Sequence, residues 1–128
     1  MSGKKAIQAA VDKLFECTIK SKGRIETLVS GATTPGSRAV PARNSKDDTA
    51  IGARVDNGEV YKKDGRMVKA VFLQPNKNAE NRTLRTMAEK NSHQNLAFAE
   101  VPIEPEADDQ KKRELAKQIF ADFKKSLD

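Results

Sequence analysis

From Ile51 to Leu73 the chain reads IGARVDNGEVYKKDGRMVKAVFL, in which strand-forming residues are interrupted by Asn57-Gly58 and Asp64-Gly65. Both dipeptides tolerate the positive φ angles of a two-residue type I′ turn. The pattern predicts a three-stranded antiparallel meander over 51–73. With Asn57-Gly58 as the first loop, Val55 faces Val60 and Arg54 faces Tyr61. With Asp64-Gly65 as the second, Tyr61 faces Val68 and Lys63 faces Arg66, a like-charge pair. One face carries Arg54, Tyr61, Val68, Ala70 and Phe72; the other carries Val55, Val60, Met67, Val71 and Leu73 with Lys62 and Lys69. Neither face is cleanly polar.

Around this sheet the periodicity turns helical. Ile7, Val11, Leu14, Phe15 and Thr18 recur at spacings of three and four between Lys4 and Lys22, behind Ser2 as N-cap. Gly23 is a stop signal, yet Ile25, Leu28 and Val29 continue the same phase toward Gly31. Residues 24–30 are therefore either the last turns of one long helix or a short strand. The helical reading fits better, because these residues do not alternate. Residues 31–50, GATTPGSRAVPARNSKDDTA, lack large apolar side chains and read as a long flexible basic loop carrying Arg38, Arg43 and Lys46. Leu84, Met87 and Ala88 mark a short helix over 79–91, with Asn78 as N-cap. Leu96, Phe98 and Val101 alternate as an edge strand that ties the sheet to the last helix and is stopped by Pro102 and Pro105. From Glu106 to Leu127, Leu115, Ile119, Phe123 and Leu127 repeat at four, Ala116 and Phe120 widen the stripe, and Asp108 and Asp109 suit the helix start. The expectation is a single small α+β domain spanning 1–128.

Composition narrows this. Of the 128 residues, 37% are apolar and 33% charged, enough for one modest core. Cys17 is the only cysteine, which excludes an internal disulfide and points to a reducing compartment. Charge breaks up the N-terminal stretch before it can form the apolar centre of a signal peptide, and no run is long enough to span a membrane. The expected location is cytoplasmic.

Charge changes the picture more. Lys and Arg outnumber Asp and Glu by 24 to 18, for a pI near 9.5. The surplus is regional, with 15 basic against 8 acidic residues from Lys20 to Lys90 but 6 of each from Pro105 to Asp128. A basic region attracts polyanions. Lys62, Lys63, Arg66 and Lys69 on the second hairpin, with Arg82 and Arg85 on the short helix, are the expected phosphate contacts, assisted by Arg54, Arg38 and Arg43.

Catalytic signals are thin. His93 is the only histidine and sits in a polar Asn-Ser-His-Gln-Asn stretch, and Cys17 lies beside an apolar stripe. Asp47-Asp48, Glu104-Glu106 and Asp108-Asp109 lack metal-ligand spacing, and no phosphate-binding glycine loop is present. No catalytic residue, metal or cofactor is expected. No helix-turn-helix, zinc-finger, RRM or KH signature appears, and aromatics are few, so phosphate contact outweighs base stacking. The sequence thus suggests a small nucleic-acid-binding accessory protein for DNA or RNA, of phage or plasmid origin, with little sequence specificity. The alternative is a protein-interaction module (an inhibitor, assembly factor or virion component) that meets an acidic protein surface, or a homodimer formed through the C-terminal helix.

Overall fold

The computed structural model describes residues 2–36, 51–76, 79–90 and 95–127. In chain order these form helices α1 (Ser2–Ile19) and α2 (Lys22–Thr33), strands β1 (Ala53–Lys63) and β2 (Arg66–Pro75), helix α3 (Arg82–Lys90), strand β3 (Ala97–Pro102) and helix α4 (Asp109–Ser126). The strands make one antiparallel sheet in the order β1-β2-β3, against which the helices pack. This is the α+β class expected from the pattern.

Ile25, Leu28 and Val29 are helical and buried, so 24–30 is not a strand. Nor does one long helix run through. The chain breaks at Ser21, whose extended backbone (φ −126°, ψ 119°) and side-chain Oγ, accepting from Arg24 N at 3.3 Å, start a new helix. Gly23 therefore opens α2 instead of closing α1. The orphan carbonyls at the end of α1 are met by arginines: Arg24 Nη1 donates to Cys17 O and Arg113 Nη1 to Ile19 O. Residues 31–33 belong to the last turn of α2, which shortens the expected loop; Arg38, Arg43 and Lys46 lie outside the described residues.

The Asp64-Gly65 turn forms as expected, with φ of 50° and 79°, and it sets Tyr61 opposite Val68 and Lys63 opposite Arg66. The Asn57-Gly58 turn does not form. Both residues lie inside β1 without positive φ, Val55 pairs with Leu73 and Arg54 with Gln74, and the register shifts between Asn57 and Val60. Glycine is used at 58 for a different reason: a Cβ there would stand 2.6 Å from Phe72 Cε2 on the neighbouring strand. The bulge takes the place of the turn. The third strand comes instead from β3, the segment expected as an edge strand tying the sheet to the last helix; Phe98 pairs with Phe72 and Glu100 with Ala70, and the ladder runs on to Pro102 opposite Val68 instead of stopping before it.

Helices α1, α2 and α4 bury one face of the sheet. Val55, Val71, Leu73, Ala97, Ala99 and Val101 meet Leu14, Leu28, Val29, Leu115, Ile119 and Phe123 in a single apolar cluster. Phe120 stands edge-on to both Phe15 and Phe123, with centroids 5.6 and 5.5 Å apart. Helix α4 begins at Asp109 behind an N-cap at Asp108, whose Oδ1 accepts from Lys111 N at 2.8 Å. Its apolar stripe is spent on this core, which leaves little of it for a homodimer. Helix α3 packs where the chain enters β1: Gly52, at φ 93°, lies close to Leu84, and the N-cap is Asn81, whose Oδ1 accepts from Leu84 N at 3.2 Å. The expected cap, Asn78, lies outside the described residues.

Candidate interaction surface

Because side chains alternate along a strand, burying Val55, Val71 and Ala99 turns the residues between them away from the helices. The bulge reverses the alternation partway along β1, so Arg54 and Asp56 share this outer face with Tyr61 and Lys63. Beside them lie Arg66, Val68, Ala70, Phe72 and Gln74 of β2, and Phe98, Glu100 and Pro102 of β3. Phe98 is 46% exposed and Tyr61 36%, whereas Val68 is buried among its neighbours.

The cations expected to form one phosphate-binding flank are dispersed. Arg54 is half-buried: its Nε meets Asp56 Oδ2 at 3.0 Å, Nη2 donates to Gln74 Oε1 and Nη1 to Pro75 O. Lys63 donates to Glu100, which also accepts from the Tyr61 hydroxyl. The Lys63 bond, followed by that of Tyr61, holds the Glu100 carboxyl below its ordinary range, while the Glu100 bond raises the Lys63 ammonium. Burial, then the Glu100 contact, pushes Tyr61 up to about 12. Lys69 faces the core side, is 1% exposed, and donates through Nζ to Gly31 O at 3.0 Å, at the C-terminal end of α2 where the helix dipole favours a cation. Burial lowers its pKa.

Arg82 and Arg85 sit at the opposite end of the sheet from the hairpin tip. The eleven residues of β1, at about 3.3 Å each, separate the two groups by roughly 35 Å. Arg85 also folds back, its Nε donating to Ala79 O at 2.7 Å. Lys62 and Arg66 remain exposed at the tip, one on each side of the ribbon. Of the seven expected contacts among the described residues, the structure brings Lys62, Lys63 and Arg66 together at the hairpin tip; Arg38 and Arg43 lie outside the described residues.

Phe98 and Glu100 are the members of this surface that sequence reasoning missed. Their signal was the alternation of small buried residues Ala97, Ala99 and Val101 with exposed or half-exposed neighbours. Among the described residues no group of three or more His, Cys, Asp or Glu side chains could hold a metal ion, and no helix is long and apolar enough to cross a membrane. His93 lies outside the described residues. What the outer face offers is contact: aromatic and aliphatic surface, charges already matched in pairs, and a cationic corner.

A family model described as HrmA: Subtelomeric hrmA-associated cluster protein matches residues 1–122. No curated protein and no solved structure matches the chain. The family description refers to a subtelomeric cluster and mentions neither ligand nor activity, so it lends no support to a phage or plasmid origin.

Proposed function

The chain belongs to the subtelomeric hrmA-associated cluster family, and from that premise we propose that it is a protein-interaction module. It docks the outer face of its sheet onto a partner whose apolar surface is bordered by acidic groups. One observation carries this reading: Tyr61 and Phe98 stand exposed on a sheet face that also presents Phe72, Ala70 and Pro102, while the helices cover the other side. A face of this composition favours removal from water, and one-sided sheets accept a second layer.

The charges suit a protein better than a polyanion. Asp56 and Glu100 lie on the face itself, each held by a cation, and a phosphate backbone would have to approach these carboxylates. The excess is local, with Arg66 on the face and Lys62 around the same turn, and it calls for a few acidic groups at one border of the partner. The second reading, phosphate binding, keeps the hairpin tip, where Lys62, Lys63 and Arg66 fall within five residues.

Selection from a displayed random-peptide library, with the Phe98→Asp variant as counter-target, tests the docking face. Phe98 is exposed, so the change spares the core. The expected result is enrichment of peptides that combine aromatic and acidic residues and bind Phe98→Asp at least about tenfold more weakly, a loss of roughly 1.4 kcal/mol. Peptides indifferent to Phe98 would overturn the proposal. So would a gel shift on mixed-sequence DNA or RNA that weakens with salt at a log-log slope of about 0.9 per phosphate contact and is lost in a Lys62→Ala, Arg66→Ala double variant.

A further inference from the structure

Strand β1 lies at one edge of the sheet, with β2 on one side and, among the described residues, no strand on the other. Which of its backbone groups are free follows from the turn. The two-residue Asp64-Gly65 turn makes Lys63 and Arg66 a hydrogen-bonded pair, so alternation directs the N–H and C=O of Tyr61 to β2 and those of Val60 and Lys62 outward. The other side of the sheet agrees: Ile103 N donates to Met67 O at 3.2 Å, so Met67, opposite Lys62, turns its backbone away from β1. The register shift between Asn57 and Val60 ends this regular edge at Val60. The hairpin tip also stands clear of the helices, since Met67 is 48% exposed and Glu59, Lys62 and Lys63 are exposed with it.

We infer that the partner attaches here by adding an extended acidic segment to β1, antiparallel to residues 60–62. The inference rests on the docking role proposed above and names how that partner is held. Val60 and Lys62 offer two donors and two acceptors, which two alternate residues of the segment satisfy. Its side chains then follow from the register. The residue opposite Lys62 is acidic, because Lys62 is exposed and makes no ion pair among the described residues. The next, opposite Tyr61, is aromatic and pairs with that half-exposed ring on the outer face, and the third, opposite Val60, is aliphatic. A second copy is a poor occupant: paired about Tyr61, it would bring two Lys62-Lys63 runs together, a charge arrangement that guards an edge against self-pairing.

The synthetic peptide Ser-Thr-Glu-Tyr-Val-Thr-Ser carries this order, and NMR titration with amide hydrogen exchange tests it. Binding is expected to slow exchange at the Val60 and Lys62 amides and to leave Tyr61 and Lys63, already bonded to β2, little changed. N-methylation of the peptide's Glu or Val, whose N–H groups face β1, is expected to weaken binding at least about fivefold, whereas N-methylation of its Tyr leaves it unchanged. This readout needs no variant of the protein. Lys62→Gln is expected to cost about two- to fivefold, and Lys62→Pro, which removes an outward donor and spares the β1–β2 ladder, more than Lys62→Gln. Phe98 lies on β3, two strands from β1, so Phe98→Asp is expected to leave this peptide's affinity unchanged, which keeps failure of the edge distinct from failure of the docking face. Equal effects at the three N-methylated positions, equal binding of Ser-Thr-Lys-Tyr-Val-Thr-Ser, loss of binding in Phe98→Asp, no protection at Val60 and Lys62, or no saturation by about 1 mM peptide would each overturn the inference.

Discussion

Gly58 distinguishes the two structures that the Asn57-Gly58 dipeptide could have built. In a strand, Gly→Ala ordinarily stabilises by about 0.5–1 kcal/mol, because the unfolded chain loses freedom. Here the new methyl would stand 2.6 Å from Phe72 Cε2 and 3.4 Å from Ala70 Cβ, so the Phe72 ring must shift. Overpacking of this kind costs about 1–3 kcal/mol. The net expectation for Gly58→Ala is a loss of about 1–2 kcal/mol, or roughly 4–8 °C in Tm for a domain of this size. With Phe72→Ala as background the obstruction is gone, and the same change should become neutral or stabilising by about 0.5 kcal/mol. The coupling in the double-mutant cycle is then about 2 kcal/mol, measurable by urea unfolding followed by circular dichroism. A type I′ turn would behave differently, since strain at positive φ would penalise alanine whether or not Phe72 were present. A penalty of equal size in both backgrounds, or none in either, would refute the reasoning.

Other outcomes follow from single contacts. Tyr61 is the only tyrosine, so tyrosinate absorbance should titrate near pH 12 in the folded chain and near the ordinary value of about 10 in urea, with Glu100→Gln lowering the folded midpoint. Because the folded state favours the protonated phenol, this stabilisation is complete below about pH 10 and is lost as the pH rises toward 12. Lys69→Met should leave the urea midpoint at neutral pH unchanged or raised, since burial disfavours the ammonium. Wild-type stability should rise relative to that of the variant as the pH approaches the ordinary lysine range, because the folded state binds fewer protons there. Ser21→Ala should cost about 1 kcal/mol through loss of the α2 cap, and Ser21→Asp should retain most of it in thermal melts.

Much of the fold could be read from local pattern. The last helix was legible because Leu115, Ile119 and Phe123 repeat at helical spacing, and the second hairpin because Asp64 and Gly65 both accept positive φ. The helical phase of Ile25, Leu28 and Val29 was legible too, but the break at Ser21 was not, since the phase survives it. The candidate surface was mostly hidden. Arg54, Lys63 and Lys69 read as surplus charge; Asp56 lies two residues from Arg54 on the same strand face, but Glu100 and the Gly31 carbonyl meet Lys63 and Lys69 only through strand pairing and helix packing.

The sequence by itself determined where helices form, where the tight reversal at residues 64–65 falls, and that basic residues are in excess. These depend on φ preferences and on periodicity within a few neighbouring residues. Tertiary structure alone decided that Asn57-Gly58 would be a bulge, that the expected edge strand would pair with β2 as the third strand of the sheet, and that Arg54, Lys63 and Lys69 would each be held by a partner within the fold. Glu100 lies 37 residues from Lys63, so their contact exists only once β3 pairs with β2, and nothing near either residue announces it.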